Sequence, residues 1–162
     1  MATSVPRRQG VPPTTSRPSA DHPFPHQQLG QNAPPAMQEA LYRRIIELPG
    51  ITVGRSLVSL PDARAFHLDA KLAHGPRSAF QRGTEFAHIH ASYDGSLHLT
   101  LPPALYDRVL ETGWGEPHPV SGTMMLFGPR TGDELDIVWG IVRESYHYAT
   151  TAPVEQSAER RP

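Results

Sequence analysis

Four histidines in the middle of the chain are the side chains best suited to chemistry. His88 and His90 are two residues apart, so on a β-strand both would point to one face of a sheet. His98 follows a turn signal, and His118 lies between two prolines that restrict its backbone. A neutral imidazole can accept a proton near pH 7 and so act as a general base. The sequence therefore predicts His88, His90, His98 and His118 as catalytic residues, with one of the first three as the base.

The turn before His98 decides which side chains face each other, and two hairpin registers compete. A two-residue loop over 94–95 pairs His90 with Leu99 and mixes polar with apolar side chains on both faces. A three-residue loop over 93–95, with Gly95 in the left-handed conformation, pairs His90 with His98 and separates the two kinds completely. Because a one-residue slip would expose the apolar set, we expect the second register. Its polar face consists of Phe86, His88, His90, Ser92, Ser96, His98 and Thr100.

Three further side chains are candidates for substrate binding. Trp114 offers a flat apolar surface beside His118, although it can equally anchor its loop by packing, since tryptophan is heavily buried on average. Arg130 has the charge to hold an anion, and can equally pair with a carboxylate or cap a strand end. His67 joins the other histidines only if its strand lies in the same sheet, and a structural role is the more frequent one for such a residue.

The three strand histidines also fit a metal site. An H-x-H motif with a third histidine is similar to the ligand pattern of cupins, and three neutral imidazoles commonly hold zinc, iron or manganese. If a metal is present, its predicted ligands are His88, His90 and His98. However, no glutamate stands at the cupin spacing after His90, and Asp94 is needed by the turn. The first expectation is therefore a site without metal or organic cofactor, and a metal site is the alternative.

The hydrophobic pattern around these residues predicts an α+β fold. Apolar residues at helical spacing predict a first helix over 37–48, and Thr131 with Glu134 forms a capping box for a last helix. Between them the pattern predicts strands at 51–59, 64–70 and 123–127, a hairpin over 85–101, a helix from 102 to 113 and a loop over 113–122. We expect one domain, with an antiparallel sheet of about five strands, two to three helices packed on its apolar face, and an open histidine face.

The composition changes near residue 37 and again near residue 150. Residues 1–36 are rich in proline and polar side chains, with few large apolar ones, and the same holds for 151–162. Such segments bury too little surface to offset their ordering entropy. The sequence therefore predicts a disordered leader over 1–36, a domain over 37–150 and a disordered tail over 151–162. His22 and His26 lie in the predicted leader, and we assign them no role.

The bulk properties exclude several classes of function. The net charge is only -1, so no strong field would attract nucleic acid or an anionic membrane. The chain has no cysteine, which excludes disulfides, thiolate metal sites and a cysteine nucleophile. No apolar run is long enough to span a bilayer. We expect a cytoplasmic protein that acts on a small molecule, without nucleic acid or membrane as a partner, and its oligomeric state stays open.

Several short motifs, in this order along the chain, resemble the luciferase-domain family, which includes the fungal luciferases. They read E-F-A-H-I-H at 85–90, S-L-H-L at 96–99, G-W-G-E-P-H-P at 113–119 and G-P-R at 128–130. The resemblance implies a place in the family's shared core for His88, His90, His98, Trp114 and His118. For the fungal members it implies an oxygen-dependent reaction on a hydroxylated pyrone that needs no metal or organic cofactor. Light emission is not implied, because the first third of the chain shows little likeness.

Together these observations lead to one main hypothesis and two alternatives. The main hypothesis is a cofactor-independent oxygenase of a small enolisable aromatic or pyrone-like substrate, with molecular oxygen as co-substrate and a histidine cluster as base. Arg130, His67 and Trp114 would bind the substrate. The alternatives are a histidine-cluster metalloenzyme with cupin-like chemistry and a non-catalytic module that binds a small ligand. Fold kinship by itself does not decide among them.

Overall fold

Within residues 4–22 and 25–154, which the computed structural model describes, the chain forms three helices and one six-stranded sheet. The helices are α1 (Pro35–Ile46), α2 (Pro103–Thr112) and α3 (Gly132–Thr150), and one 3-10 turn spans Arg77–Ala79. The strands are β1 (Ile51–Arg55), β2 (Arg64–Leu68), β3 (Glu85–Ile89), β4 (Leu97–Leu99), β5 (Gly115–Pro117) and β6 (Met124–Leu126). They run antiparallel in the order β1-β2-β3-β4-β6-β5. The predicted α+β fold in a single domain is confirmed.

The apolar face of the sheet packs against the helices. Ile89, Leu97 and Leu126 lie in one row across β3, β4 and β6 and are fully buried. Leu41 from α1 and Val138 from α3 belong to the same core. Burial of an aliphatic side chain of this size contributes roughly 1.5–3 kcal/mol. This core holds β3 and β4 rigidly, and these are the strands that carry the central histidines.

The β3–β4 hairpin has the predicted faces but not the predicted register. His88, and not His90, lies opposite His98. The connecting loop is longer than three residues, because the amide of Gly95 donates to the carbonyl of Ala91 at 3.0 Å. Gly95 does adopt the expected left-handed conformation, with φ of 74°. The register therefore differs by two residues, and a shift of two keeps His88 and His98 on their predicted face because strand side chains alternate.

A bulge in β3 changes which residues reach the histidine face. The pairing with β2 shifts by one residue where His67 lies opposite Glu85, so that Phe86 is an extra residue. Phe86 was predicted on the polar face, but it packs in the apolar core with its ring 6.1 Å from that of Tyr146. Glu85 reaches His88, three residues further along the strand, which a regular strand would place on the opposite face.

The predicted loop over 113–122 contains a short strand that the sequence pattern did not reveal. Gly113 ends α2 in the left-handed conformation, as predicted, with φ of 79°. Strand β5 follows and pairs with β6, so that Glu116 lies opposite Met125, which in turn lies opposite His98. His118 begins the turn that leads into β6. A strand of three residues has no periodicity to detect, yet this one positions two side chains of the site.

The N-terminal segment lies against the sheet, which corrects the prediction of disorder for residues 4–22 and 25–34. Thr15 pairs with Gln28 in an antiparallel bridge, and we call residues 14–22 with 25–29 the N-terminal loop. Within it His26 and Gln28 are buried. The segment has few large apolar side chains, but its hydrogen bonds satisfy buried polar groups of the domain, and its prolines reduce the entropy lost on ordering. The histidine face, predicted to be open, is therefore covered.

The sequence also predicts a disordered C-terminal tail and domain limits at residues 37 and 150. Residues 151–154 are exposed, and the rest of the predicted tail, 155–162, lies outside the described residues. The domain limits at 37 and 150 stay a prediction. In the part of the chain that the structure describes, no helix combines the length and apolar character needed to cross a membrane.

Candidate active site

Five imidazole rings meet on the covered face of the sheet. Four of them were predicted and the fifth comes from the N-terminal loop; together they form the histidine cluster, His26, His88, His90, His98 and His118. His98 is at its centre, with ring centroids 4.7 Å from His90, 5.3 Å from His88, 5.2 Å from His26 and 5.4 Å from His118. His88, His90 and His98 are all less than 10% exposed, with relative exposures of 2%, 7% and 5%. The sequence therefore predicted four members of the cluster correctly as neighbours.

Three of these imidazoles form a line of hydrogen bonds between two carboxylates, which we call the histidine relay. Its order is Asp94, His90, His98, His26 and Glu116. The contacts join Asp94 Oδ2 to His90 Nδ1 at 2.9 Å and His90 Nε2 to His98 Nδ1 at 2.9 Å. They continue from His98 Nε2 to His26 Nδ1 at 3.0 Å and from His26 Nε2 to Glu116 Oε1 at 2.7 Å. Every ring nitrogen in the relay therefore has a partner.

His88 is oriented by a carboxylate of its own and keeps one nitrogen free. Its Nδ1 lies 2.9 Å from Glu85 Oε1. Glu85 is completely buried and also accepts hydrogen bonds from the Ser56 hydroxyl and the Leu57 amide, each at 2.7 Å. The other nitrogen, His88 Nε2, is buried and has no hydrogen-bond partner among the described residues. A buried nitrogen without a partner is costly and calls for an explanation.

The carboxyl groups behind the rings are held in the ionised form. Burial acts to raise the pKa of Asp94, but hydrogen bonds from His90 and Ser96 outweigh it and lower that pKa. The pKa of Glu85 is lowered in the same way, with His88 as the main donor opposing the effect of burial. An ionised carboxylate only accepts hydrogen bonds. The Nδ1 atoms of His88 and His90 therefore carry hydrogens that they donate to Glu85 and Asp94.

Four rings of the cluster, those of His26, His88, His98 and His118, have lowered pKa values, which favours their neutral form. Burial lowers the pKa of His98 well below its ordinary value, and the neighbouring His90 and His88 lower it further. Burial is also the main cause that lowers the pKa of His26, His88 and His118. A neutral imidazole has one donor and one acceptor nitrogen, so the partner at one nitrogen fixes the role of the other.

His118 is oriented by the backbone of its own turn. The amides of Val120 and Ser121 both donate to His118 Nδ1 at 3.1 Å. Because Nδ1 accepts, the hydrogen of the neutral ring is on Nε2. His118 therefore offers a hydrogen-bond donor, and its ring lies edge-on to that of His26.

A cavity of about 450 Å³ opens above the histidine cluster, and all five rings contribute to its lining. Apolar side chains form much of the wall, among them Val58, Leu60 and Val120. The N-terminal loop contributes Pro18 and Pro25. A polar patch at the base of a mostly apolar cavity is typical of sites for small organic molecules.

Trp114 does not reach this cavity, which corrects its prediction as a substrate-binding residue. Its side chain is 1% exposed, lies in the apolar core and donates from Nε1 to the carbonyl of Pro6 at 2.7 Å. Of the two roles considered from the sequence, the structure shows the packing anchor.

Arg130 and His67 also lie outside the cavity lining, so the structure does not support their predicted roles in substrate binding. Arg130 forms an ion pair with Glu134 at the start of α3 and donates to the Gln31 side chain at 2.9 Å. His67 Nε2 lies 2.9 Å from the carbonyl oxygen of Arg55 on the neighbouring strand. Ala65 lies opposite His88, so His67, two residues further along β2, belongs to a different row of side chains.

Sequence reasoning missed three side chains of the site. His26 was placed in a disordered segment and Glu116 in a loop, and Glu85 was given no role. Only Glu85 had a usable signal, since it precedes His88 by three residues. His26 and Glu116 are brought to the cluster by contacts between residues 90 apart in sequence, which no local pattern reports.

Comparison with known proteins finds a family model that matches this part of the chain. Residues 83–145 match the family model described as the luciferase domain. The resemblance to the luciferase-domain family is confirmed. The matched luciferase-domain segment contains every residue of the histidine cluster except His26, and it contains Glu85, Asp94 and Glu116 as well.

The curated relatives are fungal proteins named luciferase. The protein from Neonothopanus nambi is 34% identical over 84 residues, which is 46% of this chain and 32% of that relative. Those from Armillaria gallica and Armillaria mellea are each 33% identical over 78 residues, 43% of this chain and 29% of the relative. The chain thus matches about a third of the length of these relatives. No solved structure gives a significant match.

Proposed function

We propose that this protein is an oxygen-dependent oxidoreductase that acts on a small enolisable aromatic or pyrone-like molecule. The observation that carries the proposal is the cavity itself, in which five imidazoles, four of them buried, lie beneath apolar walls. The similarity of residues 83–145 to the luciferase domain supports the reaction class. Light emission is not part of the proposal.

The cavity suits a flat, mostly apolar substrate with one ionisable hydroxyl. Val58, Leu60 and Ala63 line one part of the wall and Val120 another, so an aromatic or pyrone ring would be enclosed by apolar side chains. The hydroxyl would face the histidine cluster. Loss of its proton gives an enolate, whose electron-rich carbon can react with dioxygen.

The histidine cluster supplies both functions that such a step requires. His118 Nε2 donates a hydrogen bond, which stabilises the enolate oxygen as its charge develops. The histidine relay offers a path for the released proton, from His98 through His26 to Glu116. The Glu116 side chain is 18% exposed, so the relay connects the buried cluster with solvent.

The test is oxygen consumption by the full chain with a panel of hydroxypyrones and related enols, followed by product analysis. We expect turnover of at least one compound, and His118→Ala should lower kcat about 10²–10³-fold if it is an oxyanion donor. His147→Ala, a histidine change on the exposed side of α3, is the matched control and should leave turnover unchanged. Absence of turnover across the panel would overturn the proposal, and thermal stabilisation by a compound without product would identify a binding module instead.

A further inference from the structure

Three ring nitrogens of the histidine cluster converge on one small space. His90 Nε2 and His98 Nδ1 lie 2.9 Å apart, and because Glu85 occupies His88 Nδ1, Nε2 is the nitrogen that His88 has available. One ligand atom from each of these residues lies within 4.8 Å of those of the other two, and all three residues are buried. His88 and His98 lie directly opposite each other at the centre of the sheet, and His90 follows β3 directly, with its amide donating to the carbonyl of Ser96 at 2.9 Å. Their geometry is therefore set by the fold and not by mobile loops.

Two of these rings, His88 and His90, are each backed directly by a carboxylate, and this fixes where their hydrogens are. Glu85 accepts from His88 Nδ1, and Asp94 accepts from His90 Nδ1. The nitrogens that face the shared space, His88 Nε2 and His90 Nε2, then carry lone pairs.

The hydrogen position on His98 follows in the same way, by way of His26. With Glu116 as a carboxylate, His26 donates to it from Nε2, so His26 Nδ1 accepts. His98 then donates from Nε2 to His26 Nδ1, which leaves the lone pair of His98 on Nδ1. Hydrogen bonds to three carboxylates, two direct and one through His26, thus leave one nitrogen of each of the three rings with a lone pair for the shared space.

Three neutral imidazoles supply three hydrogens for the four contacts of the relay, so this arrangement favours a cation at the fourth. The lone pairs of His90 Nε2 and His98 Nδ1 face each other at 2.9 Å, which is stable only with positive charge between them. A single proton would satisfy these two nitrogens and leave His88 Nε2 buried without a partner. A metal ion satisfies all three at once.

We propose that His88, His90 and His98 bind one divalent first-row transition metal ion. Three neutral imidazoles are ligands typical of zinc, iron, copper and nickel, and a hydrogen bond from the second nitrogen of each ring to a carboxylate is the usual support of such ligands. The cavity adjoins the three rings, so a coordination position is open to a small molecule. The proposal departs from the sequence-based expectation of a site without metal.

A second group of three histidines, His26, His98 and His118, also has ligand atoms within 4.8 Å of one another. It fits a metal less well. The hydrogen of the neutral His118 ring is on Nε2, because Nδ1 accepts from two backbone amides. The Nε2 of His98 carries the other hydrogen, as the relay requires. We therefore assign the metal to the first group.

The experiment measures metal binding by the full chain, produced without a histidine tag and stripped with a chelator. Cobalt(II) and zinc(II) are the probes, with cobalt followed by its visible absorption and zinc by elemental analysis after dialysis. We expect one ion per chain and an absorption spectrum of imidazole-bound cobalt with an exchangeable ligand. Absence of stoichiometric binding by either ion would overturn the proposal and leave a shared proton as the cation.

Single variants test which residues bind the metal, and a check of folding separates loss of a ligand from loss of the fold. Glu85→Gln keeps the three ligands and should weaken cobalt binding about 10–100-fold, as removal of a carboxylate behind a ligand does. His88→Gln removes a ligand and should weaken it more, with a changed spectrum. His67→Gln, on the neighbouring strand, is the matched control. Equal binding by the control and by folded His88→Gln, checked by circular dichroism, would contradict the assignment. Because these measurements use no substrate, they fail or succeed independently of the proposed oxygenase activity.

Discussion

The two ends of the histidine relay are built in different ways. At one end Asp94 reaches His90 within a single hairpin, four residues away, and it is almost completely buried. At the other end Glu116 reaches His26 across 90 residues of sequence, and the Glu116 side chain is partly exposed. The first end depends on a local turn, whereas the second depends on docking of the N-terminal loop. The local end should therefore contribute to the stability of the domain, and the distant end should act mainly on the site.

The largest effect should follow from removing the local carboxylate. Asp94 accepts hydrogen bonds from His90, from the Ser96 amide and hydroxyl, and from the amide of Gln28. We expect Asp94→Ala to lower the free energy of unfolding by about 3 kcal/mol, because the change leaves these buried donors unpaired. Urea denaturation measures it. Asp136→Ala, which breaks only a surface ion pair, should change it by less than about 1 kcal/mol, and an equal loss in both variants would contradict this contrast.

The same carboxylate predicts a dependence on pH. The pKa of Asp94 in the folded protein is lower than in the unfolded chain. Its contribution is therefore present above the ordinary carboxyl pKa and is lost as pH falls through the lowered value. We expect the difference in unfolding free energy between the native chain and Asp94→Asn to be large at pH 7 and to shrink toward pH 3. A difference that stays constant over this range would show that the carboxylate is not ionised in the fold.

Gly95, in the turn that supports the local end of the relay, can be compared with Gly113 at the end of α2. Gly95 and Gly113 both adopt the left-handed conformation, with φ of 74° and 79°. A side chain at Gly95 would also meet Gln38 at 2.5 Å, whereas nothing lies within 4 Å at Gly113. We expect Gly113→Ala to cost about 1 kcal/mol and Gly95→Ala to cost more, about 2 kcal/mol. Equal costs in thermal or urea unfolding would mean that Gln38 moves aside freely.

At the distant end, His26→Ala should loosen the N-terminal loop while the sheet stays folded. The change removes two hydrogen bonds, so we expect a loss of roughly 1–2 kcal/mol in unfolding free energy. Limited proteolysis should then cut within residues 14–29 before the domain unfolds. His22→Ala, in the same segment but exposed, is the control. Unchanged protection of the loop in His26→Ala would show that docking does not depend on the relay.

The smallest change in stability should come from Glu116→Gln. The partly exposed side chain keeps an amide oxygen that can still accept from His26, so we expect less than about 1 kcal/mol. Metal affinity should nevertheless fall about tenfold, because the charge behind two successive rings is lost. Isothermal titration with zinc measures it, with Glu111→Gln as an exposed control. A stability loss as large as that of Asp94→Ala would remove the distinction between the two ends.

The sequence by itself determined the elements with strong periodicity and the face on which the strand histidines lie. Thr131 caps the start of α3 as predicted by accepting from the Glu134 amide, although the Glu134 carboxylate accepts from the amide of Arg130 and does not complete a capping box. His88, His90 and His98 share a face even though the turn was assigned wrongly, since the alternation of a strand tolerates a shift of two residues. That robustness explains why a cluster could be recognised before its register was known.

Tertiary structure decided everything that depends on contacts between distant segments or on irregular backbone. The bulge at Phe86 moved Glu85 onto the histidine face, and the short strand β5 placed Glu116 beside His26. Docking of a proline-rich segment covered the face that was expected to be open. A bulge or a three-residue strand leaves no periodic signal, and the docked segment is held mainly by hydrogen bonds to buried polar partners. Hydrophobic pattern alone therefore identified the central histidines but not the carboxylates and the ring that complete the site.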